Sequence, residues 1–247
     1  MLPFTLALVY IRFVKFIKDI VRSIRDNIIK YNSNHMPNEI IYFDFETTGL
    51  NPYHDKIIEY SFMIEDNDNT NISELVNPET KMEKKITDIT GIHPDMLANK
   101  KNITYHIEKI YNFISGTYNP SCLYTDKKYL IAHNATTFDK IFLMRELNAF
   151  KNTSIKNDNK NKPYLNNIHF IDSLLLSRKV IPGLYSYSLK SLSKHFSVSP
   201  GTHRALDDVI ALKNIFEKLL ILMSIETNTT VNYLKENPQI ILDYIEY

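Results

Sequence analysis

The stretch Ile40-Ile41-Tyr42-Phe43-Asp44-Phe45-Glu46 most limits what this chain can fold into. Side chains alternate faces along a β-strand. Ile41, Phe43 and Phe45 therefore form one apolar face, while Tyr42, Asp44 and Glu46 share the other. Such a strand needs a core on its apolar side and brings two carboxylates together at its end. In an open α/β sheet, strand ends are where ligands bind. Two neighbouring carboxylates are costly to bury unless something positive lies between them. A divalent cation meets that need, because Mg²⁺ and Mn²⁺ favour oxygen ligands. Solvent on an edge strand satisfies a lone Asp-x-Glu equally well, and for an isolated pair that is the default reading.

Around this strand the pattern is α/β. Lys56–Ile64 and Asn71–Val76 read as two more strands, joined as a hairpin by the polar turn EDNDNTN. Ile86–Leu97 and Tyr105–Ile114 read as two helices. Lys127–Asn134 reads as a strand followed by a helix at Phe138–Leu147. Lys151–Asn167 reads as a polar, low-complexity loop. Ile168–Arg178 is a strand running into a helix, Tyr187–Phe196 another helix, and Ala205–Met223 the longest. A last helix is expected in the tail after Thr227.

With 247 residues, 44% of them hydrophobic, the chain can build one α/β domain with extensions. The net charge of +1 decides nothing about a nucleic-acid partner, since an acidic pocket holding cations can bind a polyanion locally. The one cysteine, Cys122, excludes an internal disulfide and any multi-cysteine zinc site, which points to a reducing compartment, cytoplasmic or nuclear.

Residues 1–35 differ in character. Tyr10, Phe13, Val14, Ile17, Val21, Ile24 and Ile28 recur at helical spacing, with Arg12, Lys15, Lys18, Arg22 and Arg25 between them. The apolar run Leu2–Ile11 is shorter than the ~20 residues that span a bilayer. It lacks the basic flank and cleavage site of a secretory signal. A basic amphipathic helix remains. Docking on a membrane surface or partner protein through residues 1–30, and packing on its own domain, stay open as readings.

Two further groups of residues bear on the acid pair. Asp139 opens a helix directly after a strand, and His203 precedes Asp208 by five residues at a helix head. Each alone reads as an ordinary helix-start acid or surface histidine. Together they resemble the DEDDh family of 3′→5′ exonucleases, the DnaQ-like group of the ribonuclease H-like superfamily. The D-x-E-T-T-G motif is Asp44, Glu46, Thr47, Thr48 and Gly49. The H-N-x-x-F-D motif is His133, Asn134, Phe138 and Asp139, with one extra residue among Ala135, Thr136 and Thr137. The H-x-x-x-x-D motif is His203 and Asp208. The Asp-Ser-Leu strand end at Asp172 and the segment TGIHPDML also match.

The resemblance implies a ribonuclease H-like mixed sheet, three antiparallel strands leading and parallel strands following, flanked by helices. The resemblance covers roughly Glu39–Met223, and with the readings of both ends it divides the chain into an N-terminal helix and linker over 1–35, an exonuclease domain over 36–225 and a helical extension over 226–247. It also implies two Mg²⁺ or Mn²⁺ ions held by Asp44, Glu46, Asp139 and Asp208, with His203 as general base at neutral pH. Asp207 is expected to point elsewhere. Thr47, Thr48, Gly49 and Leu50 would meet the terminal nucleotide, Leu50 wedging against its base, while Asn134 and Phe138 shape the pocket. His133, His93, His169 and His195 read as structural. Asp172 reads as a support of the site or as a helix cap. The substrate implied is a nucleic-acid 3′ end, DNA ahead of RNA. Nothing in the chain resembles a polymerase, so proofreading would require a polymerase partner in trans.

Overall fold

The computed structural model describes residues 38–65, 70–115, 127–155 and 167–246. The N-terminal helix and linker, Cys122, the tip of the EDNDNTN turn and most of the polar loop expected at 151–167 lie outside the described residues.

Five strands form one sheet: β1 (Glu39–Thr47), β2 (Ile57–Ile64), β3 (Asn71–Leu75), β4 (Lys128–Ala132) and β5 (Ile168–Asp172). Their order is β3-β2-β1-β4-β5. β1 pairs antiparallel with β2, and β2 with β3. β4 and β5 then add in parallel. The expected ribonuclease H-like mixed sheet is what forms, with β1 at its centre.

A central strand is covered on both sides, and the alternation read from β1 shows how. Ile41, Phe43 and Phe45 join Phe62 and Leu130 beneath α3 (Ile103–Ile114) and α4 (Asp139–Ile155). Phe43 stacks on Phe62 with centroids 5.4 Å apart. On the opposite face, Ile40, Tyr42, Tyr129 and Ile131 pack against α5 (Ser173–Val180), α6 (Leu189–Phe196) and α7 (Ala205–Glu226). Leu234 from α8 (Val231–Glu236) and Ile241 from α9 (Gln239–Glu246) complete that layer. Asp44 and Glu46 sit on the α7 face, beyond the apolar part of β1.

Three elements differ from expectation. The segment 86–97 is not one helix: α1 (Lys84–Thr90) ends on Gly91 in the left-handed region at φ 67°, and α2 (Pro94–Leu97) starts anew at Pro94. α4 runs on to Ile155, into the stretch read as loop, because no Gly or Pro stops it and Phe150 still packs on the core. The tail forms two helices rather than one, with Pro238 standing between α8 and α9. Among the described residues, no helix is long and apolar enough to cross a membrane.

Phe43 is fully buried at the crossing of β1, β2 and β5. Phe43→Ala is expected to cost ~3–5 kcal/mol, read as a lowered urea midpoint with an unchanged slope.

Candidate active site

β1 outruns its parallel neighbour. Its ladder with β4 reaches only Tyr42↔Ile131. Past that point the Phe45 amide lacks a strand partner and donates instead to Asp139 Oδ1 at 3.2 Å. Phe45 lies between Asp44 and Glu46 in the chain, so this bond brings the first residue of α4 against the acid pair. Asp139 is only 2% exposed.

The turn from β4 to α4 is clasped by Asp172, itself 4% exposed. Asp172 Oδ1 accepts from the amides of Asn134 at 3.1 Å and Leu174 at 3.0 Å, and Oδ2 accepts from Thr136 at 2.9 Å. It is therefore both the N-cap of α5 and a support of the turn that delivers Asp139. The turn is not free of strain, for Asn134 has φ 67°. His133 adds a second clasp. Its Nε2 is 2.8 Å from the Tyr187 carbonyl, which can only accept, so Nε2 carries the proton. Nδ1 then accepts from the Ser173 hydroxyl at 2.9 Å. Burial lowers the pKa of this imidazole, in keeping with a neutral, structural histidine.

The head of α7 supplies the remaining groups. His203, at φ 58°, donates its backbone amide to Asp208 Oδ1 at 3.4 Å. Glu46, His203 and Asp208 each offer a ligand atom, all within 4.8 Å of one another. Asp207 is exposed and accepts from the Thr202 hydroxyl. Gly201 approaches so closely that an added Cβ would lie 1.7 Å from Asp208 Oδ1 and 3.1 Å from the Asp208 Cα.

These carboxylates perturb one another. Asp44 is pushed well above the ordinary carboxylate range by burial, then by the charges of Asp139, Glu46, Asp208 and Glu59. Glu46 rises to about 8 through burial, then through Asp208, Glu59 and Asp139, with Arg204 pulling the other way. Asp139 rises to about 7 through burial, held back by the amides of Asp139 and Phe45. Burial also raises Asp208, opposed chiefly by His203. Such crowding of oxygen donors fits hard divalent cations, whose charge would restore the ionised forms.

Of the residues expected at the substrate, Thr47 and Thr48 are buried and tie down the loop after β1. The Thr47 hydroxyl donates to the Gly49 carbonyl at 2.6 Å, and the Thr48 hydroxyl to Asp55 at 3.2 Å. The Thr48 amide is taken by the Lys56 carbonyl. Leu50, in contrast, is 83% exposed on that loop. Asn134 accepts from the Thr137 hydroxyl, and Phe138 packs edge-on to Phe142 while only partly covered. Away from the carboxylates, His93 precedes α2, His169 stacks on Tyr129 and His195 packs on Phe196.

Two residues beside the acids did not emerge from the sequence. Glu59 is a buried carboxylate on β2, gripped by Arg204 at 2.7–3.2 Å. Its signal was the one charge inside the apolar run Ile57–Ile64, and that of Arg204 was its place beside His203.

Residues 41–216 match the family model RNase T, described as an exonuclease. The DNA polymerase III PolC-type protein of Thermotoga petrophila is 28% identical over 199 residues, covering 79% of this chain and 13% of that protein. The chain thus spans a small part of these PolC-type relatives. The DNA polymerase III subunit epsilon of Treponema pallidum is 28% identical over 196 residues, covering 77% of this chain and 80% of that protein. Among solved structures, the zinc-bound complex of E. coli exonuclease I with single-stranded DNA has a TM-score of 0.60 at 17% identity, over 80% of this chain and 43% of that one. Exonuclease I of Methylocaldum szegediense has a TM-score of 0.58 at 20% identity, over 80% and 42%. At these identities the structural likeness speaks for the fold.

Two outcomes follow from the crowded acids. Their raised folded pKa values mean that stability is present in full below the unfolded values near ~4 and is lost as pH rises through about 7 for Asp139 and about 8 for Glu46. Metal-free protein should therefore melt at least ~5 °C lower at pH 8.5 than at pH 5.5. Added Mn²⁺ should raise the melting temperature more at pH 8.5, and equal increments at both values would contradict this. Separately, Gly201→Ala should displace the Asp208 carboxylate, seen as Mn²⁺ affinity weakened ~10-fold or more in calorimetry while the far-ultraviolet spectrum is kept.

Proposed function

The chain belongs to the RNase T exonuclease family, DnaQ-like 3′→5′ exonucleases of the ribonuclease H-like superfamily, and from that membership we propose that it removes nucleotides one at a time from DNA 3′ ends. The observation that carries the proposal is the meeting of Asp44, Glu46, Asp139 and Asp208 beside His203, drawn from β1, α4 and the head of α7.

In this reading the four carboxylates hold two Mg²⁺ or Mn²⁺ ions. When bound, such ions supply positive charge that acidifies an attacking water and stabilises the leaving oxygen. The protein's own groups do the rest. His203 takes the proton of the attacking water on an imidazole nitrogen. The water oxygen bonds to phosphorus as the bond to the preceding 3′ oxygen breaks. A nucleoside 5′-monophosphate leaves, and the freed 3′ oxygen takes a proton from solvent to become the 3′ hydroxyl of the shortened strand. Leu50 offers its apolar side chain to the terminal base, a contact that tolerates any sequence. The loop from Thr47 to Gly49, pinned by its own hydroxyl bonds and by Asp55, carries Leu50 directly after the acid-bearing strand.

Relatives described as DNA polymerase III proteins support DNA over RNA. A single-stranded or mismatched 3′ end as substrate belongs to the same proposal. A polymerase partner in trans and an intracellular setting belong to the same proposal. Docking of residues 1–30 on a membrane or partner is a separate proposal, to be judged by vesicle flotation of the full chain against one starting at Met36.

With 5′-labelled single-stranded DNA, mismatched duplex and RNA, the expected result is a ladder shortening from the 3′ end, fastest on single-stranded DNA and dependent on Mg²⁺ or Mn²⁺. Asp44→Asn should slow it by at least ~100-fold, since even residues that only orient metal ligands matter 10- to 100-fold. Comparable activity in the variant would sink the proposal.

A further inference from the structure

Glu59 stands directly opposite Glu46 in the β1–β2 register. Opposed residues in an antiparallel pair share a face, and like charges so placed destabilise it. The two carboxylates nevertheless have different surroundings. Glu59 is 5% exposed at its side chain and takes three hydrogen bonds from Arg204, from Nε at 3.1 and 3.2 Å and from Nη2 at 2.7 Å. It also accepts from the Ala205 amide at 3.0 Å. That amide opens α7, whose N-cap residue Arg204 makes no side-chain cap of its own. Glu59 thus caps α7 from a neighbouring strand, where a carboxylate also meets the positive end of the helix dipole. His203 and Asp208 flank this anchored turn.

Arg204 is held but not entombed. Its side chain is 40% exposed. Its charge reaches Glu46, where it favours the ionised form, so the guanidinium lies within electrostatic range of a carboxylate that the proposed function gives to a cation. A guanidinium fork suits carboxylates, and besides Glu59 the charges that act on Arg204 are those of Asp207, which is exposed and already bonded to the Thr202 hydroxyl, and of Glu46, which stands opposite Glu59 on the sheet.

We propose that Glu59 is a positioning residue of the metal site: by gripping Arg204 and the first amide of α7, it keeps the guanidinium off Glu46 and holds His203 and Asp208 level with that carboxylate. The inference rests on the reading of the acids as a metal cage. Without Glu59, Arg204 becomes an internal cation that competes for Glu46. This distinguishes the idea from simple loss of a helix cap, which removal of Arg204 would not relieve.

The test is Mn²⁺ binding to the full chain by calorimetry, in wild type, Glu59→Gln and the double variant Glu59→Gln/Arg204→Ala. Glu59→Gln should weaken Mn²⁺ by ~10-fold, and the double variant should recover to within ~3-fold of wild type. Exonuclease rates in Glu59→Gln should return toward wild type at saturating Mn²⁺, appearing as a shift in the metal requirement rather than in the limiting rate. Unchanged affinity in Glu59→Gln, or a double variant no better than it, overturns the inference while the cage reading stands. A wild type that binds no Mn²⁺ overturns the cage reading and the inference with it. Where Glu59→Gln does not fold, Arg204→Lys serves instead, because it keeps the charge and loses the fork. It should weaken Mn²⁺ ~3-fold, and no change there overturns the inference too.

Discussion

Mutual repulsion among Asp44, Glu46, Asp139 and Asp208 is the constraint around which the molecule is arranged. Each carboxylate has its proton affinity raised by burial, and the charges of the others add to this at Asp44 and Glu46. A chain does not gather acids in this way without a counterweight. Part of that counterweight is internal. Backbone amides donate to Asp139 and Asp208, and Arg204 neutralises Glu59. The remainder is what a divalent ion would bring on the proposed function. The hydrophobic layers on both faces of β1 supply the rigidity that keeps the acids in place against their own repulsion.

Much of this was legible in the linear chain. The period of two in β1 showed which side chains face together, and the structure places Ile41, Phe43 and Phe45 in one core and Tyr42 in the other. The order of strands and helices followed from where apolar runs meet polar turns. Helix ends were less legible, for definite reasons. Gly91 reads as a tolerable helix residue until its left-handed backbone is seen. The polar residues after Lys151 read as loop because their helix is sustained by packing at Phe150 rather than by propensity.

The supporting contacts were the least legible part. Asp172 could be read as a cap or as a support, and it is both, since one carboxylate has acceptor capacity for three amides. Glu59 looked like one charge in an apolar strand because its partner Arg204 lies 145 residues away. Pairings between distant segments leave no periodic trace, so they surface only when the sheet register is known.

The bond from the Phe45 amide to Asp139 has a consequence for how such proteins lose their activity. Asp139 finishes a sheet edge as well as facing the acid cluster, so its loss would strand a buried backbone donor. His203 is exposed at its side chain and completes no buried ladder. Lineages drifting toward inert nucleic-acid binders would therefore shed the histidine first and retain the aspartate long after its chemistry had ceased to matter. On the proposed function, a surviving Asp139 in an idle descendant would be a relic of architecture, and His203 would be the residue that marks the proposed chemistry.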